Sequence, residues 1–87
     1  MTRDEITTKL IELAANQAGV SISDVTPASH FVNDLNFDSL NMVEYAMEVE
    51  DELSLSIPEE QVDKLATVGE VIDFACAQLK EQATHSG

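Results

Sequence analysis

The sequence predicts an all-α fold: a four-helix bundle with a long loop between its first and second helices and a short third helix. Three observations carry that expectation. Apolar residues recur at steps of three and four in the first and last segments, the spacing of one buried helical stripe. Thr2-Arg3-Asp4-Glu5 and Thr67-Val68-Gly69-Glu70 both have the Thr-x-x-Glu form of a capping box at a helix start. No stretch alternates apolar and polar residues for long enough to propose a strand.

Thr2 opens a first helix, Arg3 to Ala18, with Ile6, Leu10, Leu13, Ala14 and Ala18 on its buried stripe and Gly19 able to take the left-handed position past its end. From Val20 to Phe37 there is no sustained period, only Pro27 and scattered Ser, Asn and Asp, so this is a loop with a short turn near Ser23 to Val25. Loops of this length are uncommon in compact domains and need pinning. Phe31, Val32, Leu35 and Phe37 are the expected pins. Asp38 is a good N-cap for a second helix, which meets no Gly or Pro before Leu53. Pro58 fits the first position of a short third helix reaching about Leu65, because the amide that proline lacks has no partner there. The fourth helix runs to about Gln82, with Val68, Val71, Ile72, Ala75, Cys76 and Leu79 on one face. Residues 1–82 are then the folded domain and residues 83–87 a flexible tail.

A chain of 87 residues buries only about 60% of the surface its unfolded form exposes, which argues against a deep catalytic cleft. With no Trp, one Tyr and three Phe, the core is expected to be aliphatic. Seventeen Asp and Glu against four Lys and Arg give a formal net charge of -13, which excludes nucleic acid and anionic membranes as partners and points to basic ones. No Lys or Arg lies between Lys9 and Lys64, where the acids concentrate. The lone Cys76 cannot form an internal disulfide and is expected as a buried thiol in a reducing compartment. The N-terminal residues have neither secretory nor transit character, and no apolar run reaches the ~18 residues of a membrane span, so a cytoplasmic monomer without membrane insertion is expected.

On the second helix, a turn of about 100° per residue from Ser39 gathers Glu44, Asp51, Glu48, Asn41 and Glu52 in one sector. Met42, Val43, Tyr45, Ala46, Val49 and Leu53 fall in a sector that can pack inward, with Leu40 and Met47 on the border beside the acids. Acids flanking apolar knobs suit a recognition helix, in which charge steers encounter and apolar anchors supply affinity. Ordinary boundary packing explains the same pattern.

Ser39 has three readings. As a hydrolase nucleophile it lacks a Gly-x-Ser-x-Gly elbow, and the two histidines, His30 and His85, lie in a loop and in the tail. It is otherwise a plain helix-start serine, or the anchor of a phosphate-linked group, which the amides and dipole of a helix N-terminus favour. Asp34, Asn36 and Asp38 share the opening spacing of a calcium loop, but Ser39 stands where glycine is needed and Tyr45 where a bidentate Glu is needed, so no metal site is expected.

The stretch "FVNDLNFDSLNMVEYAMEVEDELSLSIPEEQVDKLATVGEVIDF" resembles the acyl carrier proteins of dissociated, type II fatty-acid and polyketide synthesis. The features that carry the resemblance are Phe31-Val32…Asp34-Leu35, Asp38-Ser39-Leu40, Val43-Glu44, the acidic run and Ile57-Pro58. The resemblance implies a non-enzymatic carrier with no catalytic residues. Ser39, with Asp38 beside it, would carry 4′-phosphopantetheine transferred from coenzyme A by a magnesium-using phosphopantetheinyl transferase (holo-synthase). Leu40, Val43, Glu44, Met47 and Asp51 would meet the basic surfaces of acyltransferases, ketoacyl synthases, reductases and dehydratases. Val43, Ala46, Met47, Val62, Leu65, Val68 and Ile72 become candidates for an acyl pocket between helices. Three residues depart from the family pattern: Asn41 stands where an acid is frequent, Asn36 where glycine is common, and Phe37 where a smaller residue is usual. The alternatives are an aminoacyl or peptidyl carrier, and an acidic interaction module with no prosthetic group.

Overall fold

The computed structural model describes residues 2–86, with side chains described for residues 2–79. Helix α1 spans Arg3–Ala18, α2 Ser39–Leu53, α3 Glu59–Val62 and α4 Val68–Ser86, with a 3-10 turn at Ile22–Asp24 in the first loop. α1 packs against both α2 and α4, while α3 rests on α2. This is the expected four-helix, strand-free architecture among the described residues; the one β-type contact is an isolated bridge between His30 and Thr67.

The expected caps form. Thr2 Oγ1 accepts the Glu5 amide at 3.2 Å while the Glu5 carboxylate accepts the Thr2 amide at 2.9 Å. The Thr2 main-chain amide, with a further contribution from the Thr2 hydroxyl, holds the Glu5 carboxyl below the usual carboxylate range. Gly19 closes α1 with φ 73° and donates to Ala15 O at 2.8 Å. At α4, Thr67 Oγ1 accepts the Glu70 amide and Glu70 Oε1 the Thr67 amide.

The expectation of an aliphatic core needs correcting. Phe31, Phe37 and Tyr45 form a three-ring cluster with centroids 5.2 to 5.9 Å apart, between the loop and α2. Aliphatic residues surround it: Ile6, Leu10 and Leu13 from α1, Val49 and Leu53 from α2, and Val68, Val71, Ile72 and Ala75 from α4. The buried Tyr45 hydroxyl donates to Leu10 O at 3.1 Å, so its polar end is satisfied inside the core. Cys76 is half-buried at the core's edge rather than enclosed in it.

The long loop is pinned by Phe31, Leu35 and Phe37, but not by Val32, which is 56% exposed. The reason is local geometry. The Asp34 and Leu35 amides both return to His30 O, winding a helix-like turn that puts Phe31 and Leu35, four apart, on the inner face and Val32 on the outer. Main-chain bonds then tie the loop to the start of α4: Phe31 N to Ala66 O, Val68 N to Ser29 O and Gly69 N to Pro27 O, the last at 2.8 Å. Gly69 permits that approach, since a Cβ there would sit 2.9 Å from Pro27 O.

Two helix ends differ from expectation. Pro58 is the extended N-cap of α3 rather than its first helical residue, and the helix is over by Val62. The Lys64 and Leu65 amides bond three residues back, to Gln61 O and Val62 O; this tighter winding turns Leu65 into the core instead of prolonging the α-helix. α4 continues past Gln82 to Ser86, so residues 83–86, expected as tail, are helical; nothing in that stretch breaks a helix before Gly87, which lies outside the described residues.

Candidate functional site

The site is built around the first turn of α2. Asp38 is extended, with φ -103° and ψ -174°, and its Oδ1 accepts the Asn41 amide at 2.9 Å. Asn41 Oδ1 accepts the Asp38 amide at 3.1 Å in return, completing a reciprocal box. The sequence departure at Asn41 is therefore a structural exchange: an amide closes the cap where a charge would have added to the acid cluster. Asn36, just before, has φ 58°, the left-handed backbone that asparagine tolerates better than most residues. These two devices set the direction in which the chain enters α2.

Ser39 is exposed in the first helical turn. Asp38 takes up the Asn41 amide, but no chain acceptor meets the Ser39 or Leu40 amide among the described residues. Those outward N–H groups, with the positive end of the helix dipole, suit phosphate oxygens attached at the serine. Among the described side chains, which do not include His85, nothing equips Ser39 as a nucleophile of its own. His30 shares its groove, but His30 Nδ1 already accepts the Val32 and Asn33 amides, each at 3.2 Å. Nor do the acids make a metal site: no group of three or more potential ligands gathers among the described residues, and Asp34 and Asp38 instead bind the backbone amides of His30 and Asn41.

Beside Ser39 lies a groove of about 570 Å³ that also touches Val43, Val62 and Leu65. A second, of about 480 Å³, lies on the other side of Val43 and Val62 and is lined by Ala46, Met47 and Ile57. Five of the seven candidate pocket residues thus face a groove. Val68 and Ile72 face neither of these two; they come from the inner face of α4 and are packed in the core.

Val43 falls in the sector of α2 that can pack inward and was also expected on the partner face; it is 46% exposed, which fits the second placement. With Leu40 at 65% and Met47 at 61% exposure it forms one apolar ridge, at steps of three and four, with the exposed acids Glu44 and Asp51 nearby. Gln17 Nε2 of α1 donates to Glu44 Oε1 at 3.3 Å and steadies that acid.

Two contributors escape sequence reasoning. Glu50 looked like one more acid in the run, but its Oε2 accepts the Ile57 amide at 2.9 Å and fixes the α2–α3 connection along the second groove. His30 looked like a loop residue, and it caps the turn that carries the aromatic pins. Glu50 is not signalled by spacing because it acts seven residues away, whereas His30 acts on amides two and three residues on, a local ring-to-backbone cap that its position in an aperiodic loop did not suggest.

Residues 8–75, which include Ser39, both grooves and the ridge, match the family model described as the phosphopantetheine attachment site. The acyl carrier protein of Rubrobacter xylanophilus is 43% identical over 74 residues, covering 85% of this chain and 91% of that protein. The chain belongs to the acyl carrier protein family. A solved structure of the acyl carrier protein from Enterococcus faecalis superposes on this carrier with a TM-score of 0.76 at 32% identity, over 90% of this chain and 99% of the other.

The resemblance carried by Asp38-Ser39-Leu40 and Ile57-Pro58 is thus met in family, fold and prosthetic group. The carrier is not an enzyme, and the group that defines its family is 4′-phosphopantetheine. Membership entails interaction with a phosphopantetheinyl transferase and with synthesis enzymes. No described helix is long and apolar enough to cross a membrane.

Proposed function

We propose that Ser39 Oγ is the attachment atom of the 4′-phosphopantetheine arm, and that the carrier presents fatty-acid or polyketide thioesters to cytoplasmic acyltransferases, ketoacyl synthases, reductases and dehydratases. The observation that supports this most is the placement of an exposed serine on a doubly capped helix start at the mouth of an apolar groove. When bound, the group supplies a terminal thiol on which acyl chains are held as thioesters. The chain's own residues do the rest. Asp38 and Asn41 hold the serine's backbone, and the Ser39 and Leu40 amides face the phosphodiester.

Val43 and Val62, which line both grooves, and Leu65, Ala46 and Met47 shelter the acyl chain, whose exposure to water would cost about 0.8 kcal/mol per CH₂ relative to burial. Leu40, Val43 and Met47 are the apolar contacts for a partner, and Glu44 and Asp51 steer its basic surface. The test is intact mass after incubation with coenzyme A and a broad-specificity phosphopantetheinyl transferase. One added phosphopantetheine is expected on the parent protein and none on Ser39→Ala. A parent protein of unchanged mass refutes the proposal, and a gain that survives Ser39→Ala moves the site elsewhere.

A further inference from the structure

The groove beside Ser39 is poor in hydrogen-bond donors. Among the described residues that line it, only Ser39 and His30 have a side-chain N–H or O–H; the rest are apolar or, as Asp38 and Asp63, carboxylates that only accept. Attachment of a phosphodiester replaces the Ser39 hydroxyl proton, and His30 is then the only side-chain donor left on the wall. The arm, by contrast, is rich in acceptors, with its phosphodiester oxygens and amide carbonyls.

The state of His30 is fixed by its neighbours. Nδ1 accepts two main-chain amides, Val32 N and Asn33 N, at 3.2 Å each, which leaves Nε2 as the N–H donor of the ring. The His30 amide is held by Asp34 Oδ2 at 2.7 Å, and the residue is bridged to Thr67 at the start of α4. The ring is therefore held on one edge by two loop amides, and the residue's backbone by Asp34 and the start of α4. It is half-buried, and no chain acceptor takes up Nε2–H among the described residues.

We propose that His30 is a binding residue for the prosthetic arm: its Nε2–H donates to an acceptor oxygen of the arm laid in the groove, and so parks the thiol end against the carrier between visits to partner enzymes. The inference rests on Ser39 being the attachment site. The donor stands on a wall whose other polar side chains, Asp38 and Asp63, only accept, so it is the group there that can meet an acceptor oxygen of the arm.

The experiment compares apo protein with protein loaded from coenzyme A by a phosphopantetheinyl transferase, using mass to confirm loading and nuclear magnetic resonance to observe His30. Loading is expected to shift Nε2 and its proton while leaving Nδ1 in place, and to produce arm-to-ring Overhauser contacts. In His30→Ser, whose hydroxyl can still accept a turn amide, the arm's own resonances should move to those of a free arm. A change in the phosphorus signal there assigns the bond to the phosphodiester, and a change in a carbonyl carbon assigns it to an amide. Complete loading with His30 resonances unchanged and no arm-to-ring contact overturns the inference while leaving Ser39 in place. Absence of any mass gain removes Ser39 as the tether, and this inference with it. The wild-type comparison decides the matter even if His30→Ser fails to fold.

Discussion

Replacing Asn41 by alanine tests whether the reciprocal cap at α2, and not charge at that position, sets up the serine. Two bonds define the cap, Asp38 Oδ1 to the Asn41 amide at 2.9 Å and Asn41 Oδ1 to the Asp38 amide at 3.1 Å, and both lie at the surface. Water can replace an exposed partner, so each loss belongs at the lower end of the range for caps. Asn41→Ala frees only the Asp38 amide and should cost about 0.5 kcal/mol, whereas Asp38→Ala removes the N-cap itself and should cost about 1 kcal/mol. In a domain of this size a change of about 1 kcal/mol moves Tm by roughly 4–8 °C, well within calorimetric resolution.

Because each side chain fixes the other's backbone, the double variant should be less destabilised than the sum of the singles, with a coupling of a few tenths of a kcal/mol or more, as expected for residues in one network. Hydrogen exchange supplies the local readout: Asp38→Ala should speed exchange at the Asn41 amide more than elsewhere in α2. Transfer of the prosthetic group to Ser39 should slow in both variants. Strict additivity, with an unchanged Tm for Asn41→Ala, would refute the reciprocal cap and leave Asn41 as a surface substitution.

Other expectations follow from single contacts. Gly69→Ala would push a Cβ against Pro27 O, backbone that the loop cannot easily move, and should cost about 1–3 kcal/mol in denaturant unfolding; an unchanged midpoint means the loop gives way. Burial, with a smaller contribution from the Glu48 charge, pushes the Tyr45 phenol above the ordinary phenol range. The neutral ring therefore contributes stability that is intact below the unfolded value of about 10 and lost as pH rises beyond it. Phenolate absorbance from this only tyrosine should appear together with loss of helical circular dichroism, and Tyr45→Phe should flatten the alkaline loss; ionisation near pH ~10 within an intact fold contradicts the burial argument. Glu44→Lys and Asp51→Lys should slow acyl transfer by partner enzymes most at low salt, where charges are least screened; indifference to both changes leaves that face as solvated surface.

Where local rules govern, the sequence was legible. The capping boxes at Thr2 and Thr67, the N-cap at Asp38 and the left-handed Gly19 depend on residues within one or two turns and appear as expected, and the apolar stripes of α1 and α4 do so except at Ala18, Cys76 and Leu79, which are only partly buried. Exposure was less legible. Val43 lies by angle in the sector of α2 that can pack inward and was also expected on the partner face; angle alone does not choose between the two, and its exposure does. Val32 was misplaced among the pins, because its outward direction is set by a turn wound about His30 O.

Acids posed the deeper difficulty, because charge says nothing about which carboxylate is structural. Glu50, Asp34 and Asp38 are spent on backbone amides, whereas Glu44 and Asp51 are exposed on α2 beside the apolar ridge, yet all five look alike in a string. The distinction follows from geometry: an acid that faces an unpaired amide of a connection accepts from it, and at the part-buried Ile57 amide the loss of that acceptor is unfavourable by about 1–3 kcal/mol. Hence the acids on and before α2 form two systems, one spent on backbone amides that fix the approach to the serine and the α2–α3 link, and one free to meet a basic partner. Charge reversal should separate them: at Glu44 or Asp51 it should alter association and spare stability, while at Glu50 it should unfasten Ile57 and be felt first as a loss of folding.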